Sequence, residues 1–216
     1  RLERLAGPNA AIDEAVKLTA DALEAGGVIQ AFGTGHSEAF AMEIAGRISR
    51  LPADGLAELN PRLGHELLAR ELKQTWDLFL EPEGLVRDPE LAVDLRAALD
   101  TLCEALGSAA PVPCHRDFMV RNLMPLPAAS GLAVLDHQDL RLGPPLYDLA
   151  SLLNDTLFPP AEVETALLEM AGANREGYHR AAAQRTLKAV GTYASFARRG
   201  ATRHLPLIPP TLSRFM

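Results

Sequence analysis

The sequence predicts a mainly α-helical lobe that carries short β-hairpins, preceded by a short α/β segment. After residue 50, leucines recur at helical spacing along several long segments. Residues 112–135 contain short apolar runs that suit strands, set among polar residues. Before residue 50 the order is helix, strand, glycine-rich turn and helix, which is how an α/β layer begins. We therefore expect two parts, residues 1–50 and residues 51–216.

The composition is that of a globular chain, and its charge argues against several kinds of partner. Of the 216 residues, 48% are apolar and 23% are charged, with a formal net charge of −7. Wholesale disorder is therefore not expected, and an acidic chain has no diffuse attraction to nucleic acid or to an anionic membrane. No apolar run reaches the roughly 18 residues of a membrane span, and no signal peptide opens the chain.

The cysteines predict the cellular compartment, and the first residue predicts that the chain is part of a longer protein or a processed or engineered product. Cys103 and Cys114 are too few for a disulfide framework, so we predict a reducing, cytoplasmic setting. Because the chain begins at Arg1, we expect a piece of a longer protein, or a processed or engineered product. The sequence leaves the oligomeric state open.

Residues 1–50 predict two helices on either side of one strand. Asn9 suits an N-cap, and residues 9–25 have apolar positions at helical spacing. Residues 28–32 form a short apolar run typical of a buried strand. A glycine-rich turn at 33–37 follows, and residues 38–48 again have a helical pattern.

Cap signals and apolar stripes predict the helices after residue 50. Asn60 and Pro61 predict the start of a helix that runs to about Leu80. Asp88 and Pro89 predict the start of another, which carries a leucine stripe and ends at Gly107. Further helices are predicted at 146–156, 161–171 and 175–198, and strands at 122–124 and 132–135.

The densest chemistry lies between residues 115 and 148. His115, Asp117 and Asn122 form the pattern H-x-D-x-x-x-x-N, Asp136 ends an apolar run, and Asp148 follows. Phosphoryl transfer from a nucleotide needs a carboxylate to accept the proton of the attacking hydroxyl and oxygen ligands for Mg²⁺. This spacing therefore indicates a nucleotide-dependent phosphotransferase. A metal-dependent hydrolase built on His115, Asp117, Asp136 and His137 is an alternative, and incidental loop polarity is another.

Several neighbouring side chains have more ordinary interpretations. Arg116 and Arg121 flank the candidate base, and each suits a phosphate contact or a pairing with a surface carboxylate equally well. Cys114 is expected to be a small core residue, and His137 to pack beside Asp136. Trp76, the only tryptophan, is expected in the core more readily than in a sugar pocket.

Residues 51–216 resemble the C-terminal lobe of the aminoglycoside phosphotransferase and choline-kinase-like family. The stretch CHRDFMVRNLM (114–124) is similar to the catalytic loop of that family, and VLDHQDLRLGPPLYDLASLL (134–153) to its metal-binding segment and following helix. Within the family, the resemblance is closest to bacterial kinases of cell-wall amino sugars. It implies a protein-kinase-like C-terminal lobe that uses ATP and Mg²⁺ to phosphorylate a hydroxyl of a sugar or amino sugar.

The same resemblance implies a role for each residue of the motif. Asp117 would be the catalytic base, and Asn122 and Asp136 would bind Mg²⁺. His115 and Asp148 would brace the loop through hydrogen bonds. Auxiliary roles are expected of two further residues, Asp139 and Arg121.

Residues 26–47 resemble the opening of a sugar isomerase (SIS) domain, which implies a truncated SIS-like segment at residues 1–50. Glycines in the turn let the backbone approach a ligand, and the following helix N-terminus offers amide N–H groups to a sugar phosphate. The resemblance implies that the sugar phosphate is bound by Gly33, Thr34, Gly35 and Ser37, with Glu43 as a sugar-contacting or catalytic carboxylate. A non-catalytic sugar-phosphate-binding module, or a sugar isomerase fragment, is therefore the alternative function.

The resemblance also implies a feature that this sequence does not supply. A kinase of this family carries a strand lysine that grips the nucleotide phosphates. The three lysines here, Lys17, Lys73 and Lys188, all lie in helical patterns. We therefore expect weak or absent turnover from this chain alone.

Overall fold

The computed structural model describes residues 56–57, 60–125, 132–154 and 158–214, all within one unit of the chain, Arg50–Met216. The helices in these ranges are α1 (His65–Thr75), α2 (Pro89–Ser108), α3 (Tyr147–Leu153), α4 (Ala161–Met170), α5 (Arg175–Arg198) and α6 (Ile208–Ser213). The mainly helical lobe is confirmed. The elements predicted before residue 50, and the boundary near it, lie outside the described residues.

Two small antiparallel sheets interrupt the helices. Strand β1 (Val112–Cys114) pairs with β4 (Arg141–Gly143), and β2 (Leu123–Pro125) pairs with β3 (Leu132–Val134). The β2–β3 pairing confirms the strands predicted at 122–124 and 132–135. The β1–β4 pairing was not predicted, because three-residue strands are too short to show an alternating pattern.

Helix α2 begins where its cap signal predicts. The Asp88 carboxylate accepts hydrogen bonds from the backbone N–H groups of Glu90 (2.9 Å) and Leu91 (3.4 Å), and Pro89 occupies the first helical position. The leucine stripe is buried only toward the C-terminal end. Leu91 is 52% exposed, whereas Leu106 is 5% exposed and lies in the core. The helix extends one residue past the predicted stop at Gly107.

The predicted start of the first helix after residue 50 was wrong. Helix α1 begins at His65, residues 61–64 belong to no helix or strand, and Gly64 has an extended backbone. Asn60 does not cap it, because its side-chain amide donates to the carbonyl of Leu140 (2.9 Å). The backbone N–H of Leu63 donates to the carbonyl of Leu142 on β4 (2.8 Å). This segment therefore lies against β4 before the helix starts. The predicted end near Leu80 is matched by a π-helical turn, Trp76–Leu80.

Helix α5 is the central element of the core and packs on α1 and α3. Its buried face is rich in small residues, including Ala181 and Gly191, which let neighbouring backbones approach closely. The Tyr147 hydroxyl at the start of α3 donates to Gln184 on α5 (2.9 Å). This packing places the first turn of α3 and the middle of α5 on either side of the loop that follows β1. No helix in the described ranges is long and apolar enough to cross a membrane.

Candidate active site

The loop after β1 is held by one carboxylate at the start of α3. Asp148 accepts hydrogen bonds from the backbone N–H groups of His115 (2.7 Å) and Arg116 (2.8 Å) and from the Cys114 thiol (3.2 Å). Arg116 has a left-handed backbone conformation, with φ of 71°. Such a conformation is unfavourable for a residue with a side chain, and the bonds to Asp148 stabilise it. The direction in which the chain enters Asp117 is therefore fixed.

His115 connects this loop to the segment that carries Asp136. Its side chain is buried, and its Nε2–H donates to the carbonyl of Leu135 (2.7 Å). The His137 ring lies edge-on to the His115 ring, with centroids 5.0 Å apart, and donates its Nε2–H to the carbonyl of Val134 (2.6 Å). Both histidines thus hold the end of β3 against the loop.

The β2–β3 hairpin brings Asn122 and Asp136 together at its open end. The backbone N–H of Leu135 donates to the carbonyl of Asn122 (2.8 Å), so Asp136 is the next residue beyond this pair. The Asn122 side-chain N–H donates to the carbonyl of Asp117 (2.7 Å), which leaves its Oδ1 free to accept or to bind a cation. Two hydrogen bonds therefore link the Asp117 backbone, Asn122 and the residue before Asp136.

Asp136 is exposed and lies in the left-handed region, with φ of 69°. Its carboxylate makes no hydrogen bond or ion pair with any residue that the structure describes. Together with the Asn122 Oδ1, it supplies two hard oxygen ligands, which suit Mg²⁺. The chemistry of these donors therefore fits a magnesium ion, which Asn122 and Asp136 would hold.

The described ranges contain no group of three or more His, Cys, Asp or Glu side chains that could hold a metal ion. His115 and His137 each commit Nε2 to a main-chain carbonyl. Neither histidine therefore offers Nε2 to a metal ion in the described part of the chain.

Cations surround the Asp117 carboxylate. Arg185 Nη2 lies 3.3 Å and Lys188 Nζ 3.7 Å from Asp117 Oδ1. Burial alone raises the pKa of Asp117, but Lys188, Arg185, Arg116 and His115 more than offset this, so its pKa lies below the usual value. Asp117 is therefore ionised in the neutral pH range, as a proton acceptor must be.

Arg116 pairs with two partly buried carboxylates, which favours the pairing interpretation over a phosphate contact. Its guanidinium contacts Glu71 on α1 and Asp139 after β3, and its side chain is 7% exposed. Arg141 on β4 pairs with the same Asp139. Asp139 thus acts on the loop through Arg116.

Lys188 and Arg185 are site residues that the sequence interpretation missed. They lie one turn apart on α5, on the same helix as Gln184, which donates to Glu71 (3.1 Å). Lys188 Nζ lies 3.5 Å from Glu71 Oε1 as well as 3.7 Å from Asp117. Burial, followed by repulsion from Arg185, lowers the pKa of Lys188. Long polar side chains among the alanines of a core helix are the signal that could have found them.

Of the other residues singled out in the sequence, the structure describes Arg121, Cys114 and Trp76. Arg121 is exposed and has no side-chain partner among the described residues. Cys114 is buried, and burial raises the pKa of its thiol, as expected for a core residue. Trp76 is 6% exposed and lies under the Arg96 guanidinium, 4.3 Å from the ring centroid. Residues 33–43, with the candidate sugar-phosphate loop, lie outside the described ranges.

The described residues form a kinase-like C-terminal lobe. It is mainly helical, and its hairpin carries an asparagine and an aspartate near the loop of a further carboxylate. Residues 4–183 match the phosphotransferase enzyme family. The chain belongs to this family, which confirms the resemblance predicted from residues 114–124 and 134–153. The match also includes most of residues 1–50, and the SIS-like resemblance of that segment stays a prediction.

The chain is also similar to sugar kinases. It is 34% identical over 169 residues to an N-acetylmuramate/N-acetylglucosamine kinase of Caulobacter vibrioides, covering 69% of this chain and 46% of that protein. It is 33% identical over 181 residues to the Pseudomonas putida kinase of the same name, covering 76% and 52%. A third such kinase, from Neisseria meningitidis serogroup B, is 34% identical over 136 residues, covering 59% and 38%. The chain spans about half the length of these curated relatives or less.

Proposed function

We propose that this chain provides the catalytic lobe of an ATP-dependent kinase that phosphorylates a hydroxyl of a sugar or amino sugar. The observation that carries the proposal is a pair of hydrogen bonds that links Asp117, Asn122 and the residue before Asp136. The Asn122 side chain donates to the Asp117 carbonyl, and the backbone of Leu135 donates to the Asn122 carbonyl. The names of the relatives, kinases of N-acetylmuramate and N-acetylglucosamine, support an amino-sugar substrate.

Asp117 acts as the base in this proposal. The sugar hydroxyl donates its proton to the Asp117 carboxylate as its oxygen forms the new bond to the γ-phosphorus of ATP. The bond between that phosphorus and the bridging oxygen breaks, and ADP leaves with the electron pair. An Asp117 pKa below its usual value keeps the carboxylate ready to accept the proton at neutral pH.

Asn122 and Asp136 are the residues that would hold Mg²⁺. When bound, this ion neutralises charge on the nucleotide phosphates. The left-handed backbone at Asp136 turns the chain two residues after β3 ends at Val134. His115, through its bond to Leu135, keeps that strand end against the loop of the base.

Asp148 and Asp139 position the loop without contacting the substrate in this proposal. Asp148 binds the two backbone N–H groups before Asp117, and Asp139 holds the Arg116 side chain. Phosphoryl transfer depends chiefly on positioning and charge stabilisation. Both carboxylates are therefore expected to affect turnover through the geometry of Asp117.

The division into residues 1–50 and 51–216 and the SIS-like function of the first part remain hypotheses. No described residue bears on them, because Gly33 to Ser37 and Glu43 lie outside the described ranges. The sugar-kinase interpretation is supported by the hydrogen bonds among Asp117, Asn122 and Leu135 and by the names of the similar kinases.

The test is sugar-dependent ADP release, measured with a coupled assay over a panel of neutral and N-acetylated sugars. Asp117→Asn removes the base without changing the size of the side chain, and we expect turnover to fall by about 10²–10⁴. Asp94→Asn, an exposed carboxylate on α2, is the matched control and should keep the wild-type rate. Equal sugar-dependent rates for wild type and Asp117→Asn would overturn the proposal.

A further inference from the structure

The basic side chains around Asp117 and Glu71 differ in how fully their donors are used. The Arg116 guanidinium binds Glu71 and Asp139, and the Arg141 guanidinium binds Asp139 and the Pro61 carbonyl. Arg185 donates to Ser151 (3.1 Å) and to Asp117 (3.3 Å). In the described part of the chain, Lys188 lies near two carboxylates, at 3.5 and 3.7 Å, but makes no hydrogen bond. Its ammonium therefore keeps donors that no hydrogen bond within the described residues uses.

The position of Lys188 indicates which group these donors can bind. A hydroxyl that gives its proton to Asp117 must lie within about 2.6–3.2 Å of the carboxylate. The phosphorus under attack bonds to the oxygen of that same hydroxyl. Lys188 Nζ, 3.7 Å from Asp117 Oδ1, is therefore within reach of the oxygens of the phosphoryl group in transfer.

Two other roles for Lys188 explain less of the geometry. A structural ion pair with Glu71 alone does not account for the position of Lys188, because its Nζ lies at a similar distance from Asp117. A carboxylate on the sugar is a second possible ligand, but the ammonium faces the base, where the reacting hydroxyl lies. The Lys188 side chain is 15% exposed, so a charge that develops beside it is only weakly screened by water.

We propose that Lys188 is a further catalytic residue whose ammonium binds the oxygens of the phosphoryl group as it passes from ATP to the sugar hydroxyl. The inference rests on the proposed function. The ammonium exchanges no proton in the step. The proton of the hydroxyl goes to Asp117, and the new P–O bond forms as the bond to ADP breaks. Lys188 stabilises the negative charge on the oxygens of the phosphoryl group during this transfer.

The experiment compares Lys188→Met, Lys188→Arg and Lys73→Met in the full chain. Lys73 is an exposed lysine on α1 that pairs with Asp77, so its variant is the matched control. Initial rates are measured with ATP and two sugars, N-acetylglucosamine, which is neutral, and N-acetylmuramate, which carries a carboxylate. Thermal unfolding of each variant is recorded alongside.

Loss of a hydrogen-bond donor that stabilises negative charge in the transition state typically lowers kcat by about 10²–10³. For Lys188→Met we expect a loss of that size with both sugars, with KM values within about threefold of wild type by the same principle of transition-state binding. Lys188→Arg retains the charge and should recover at least about tenfold of the loss, since arginine also binds phosphate. Lys73→Met should match wild type.

Three results would overturn the inference. One is a kcat for Lys188→Met close to that of wild type. Another is a loss confined to the sugar with the carboxylate, which would make Lys188 a specificity residue. The third is a folded Lys188→Arg that is as slow as Lys188→Met. If Lys188→Met fails to fold, the rate of Lys188→Arg relative to wild type is the test. The proposed function fails separately, when Asp117→Asn is as fast as wild type.

Discussion

Three residues other than glycine have left-handed backbone conformations in the described ranges, and all three lie beside the candidate active site. Arg116, Asp136 and Leu146 have φ values of 71°, 69° and 66°. Each such conformation costs on the order of 1–3 kcal/mol and persists only where the surroundings hold it. Arg116 precedes the base, Asp136 is a proposed metal ligand, and Leu146 precedes α3. The turns that shape the site are therefore held by contacts from elsewhere in the fold.

Asp148→Asn tests this at the scale of a single residue. The Asp148 carboxylate accepts two backbone N–H bonds and a thiol bond, and an amide presents a donor where one of these bonds needs an acceptor. Hydrogen bonds to a charged group contribute about 1.5–3 kcal/mol. We expect the free energy of unfolding to fall by roughly 2–3 kcal/mol, measured by urea denaturation, with a parallel loss of kinase turnover.

Asp94→Asn is again the control, because that carboxylate is exposed on α2. It should change the free energy of unfolding by less than about 0.5 kcal/mol. If Asp148→Asn proved as stable and as active as this control, Asp148 would not brace the loop.

At the scale of secondary structure elements, the crossing of α5 over the end of α1 depends on one glycine. A Cβ added at Gly191 would lie 2.4 Å from Thr75 Oγ1 and 2.9 Å from the Thr75 backbone N and Cα. The Thr75 hydroxyl also donates across the crossing to the Leu187 carbonyl (2.7 Å). The two helices therefore approach as closely as a missing side chain permits.

Gly191→Ala should separate these helices and lower the free energy of unfolding by about 1–3 kcal/mol, the usual cost of overpacking. Gly177 on the same helix has its nearest contact, Leu146 Cδ1, at 3.6 Å, which is ordinary packing. Gly177→Ala should therefore stabilise the protein by about 0.5–1 kcal/mol through helix propensity. Thermal or urea unfolding of the two variants shows whether the first loses and the second gains stability. Equal changes in the free energy of unfolding would rule out a tight crossing of the helices.

The helices also show how far local signals predicted the fold. Asp88 and Pro89 predicted the start of α2 because a cap is completed by the next three residues alone. Asn60 and Pro61 form a similar signal, yet α1 starts at His65. The side chain of Asn60 binds the Leu140 carbonyl 80 residues away, and a local pattern contains no information about such a partner.

At the scale of the whole molecule, buried charges connect elements that are far apart in sequence. Glu71 on α1 binds Arg116 in the loop and lies 3.5 Å from Lys188 on α5. Arg116 in turn binds Asp139, and Lys188 lies beside Asp117. The cluster therefore fixes α1, α5 and the segment after β3 around the proposed base.

Glu71→Gln should disturb this cluster as a unit. Removing one partner of a buried ion pair leaves uncompensated charge and typically costs about 3–5 kcal/mol. We expect a loss in that range, measured by urea denaturation, because Arg116 and Lys188 both lose a carboxylate. Glu66→Gln, on the exposed side of the same helix, should leave stability within about 0.5 kcal/mol of wild type. Similar stabilities for both variants would show that the cluster is not a structural unit.

The sequence by itself determined the helical lobe, the cap of α2, the β2–β3 hairpin and the order of Asp117, Asn122 and Asp136, because periodicity, capping and motif spacing are properties of neighbouring residues. Only the tertiary structure decided that Arg116 pairs with Glu71 and Asp139, and that Lys188 and Arg185 face Asp117. These contacts join residues up to 71 positions apart, as Lys188 and Asp117 show. Their partners are chosen by how α1, α3 and α5 pack, since a buried charge must find its counter-charge wherever the fold places it.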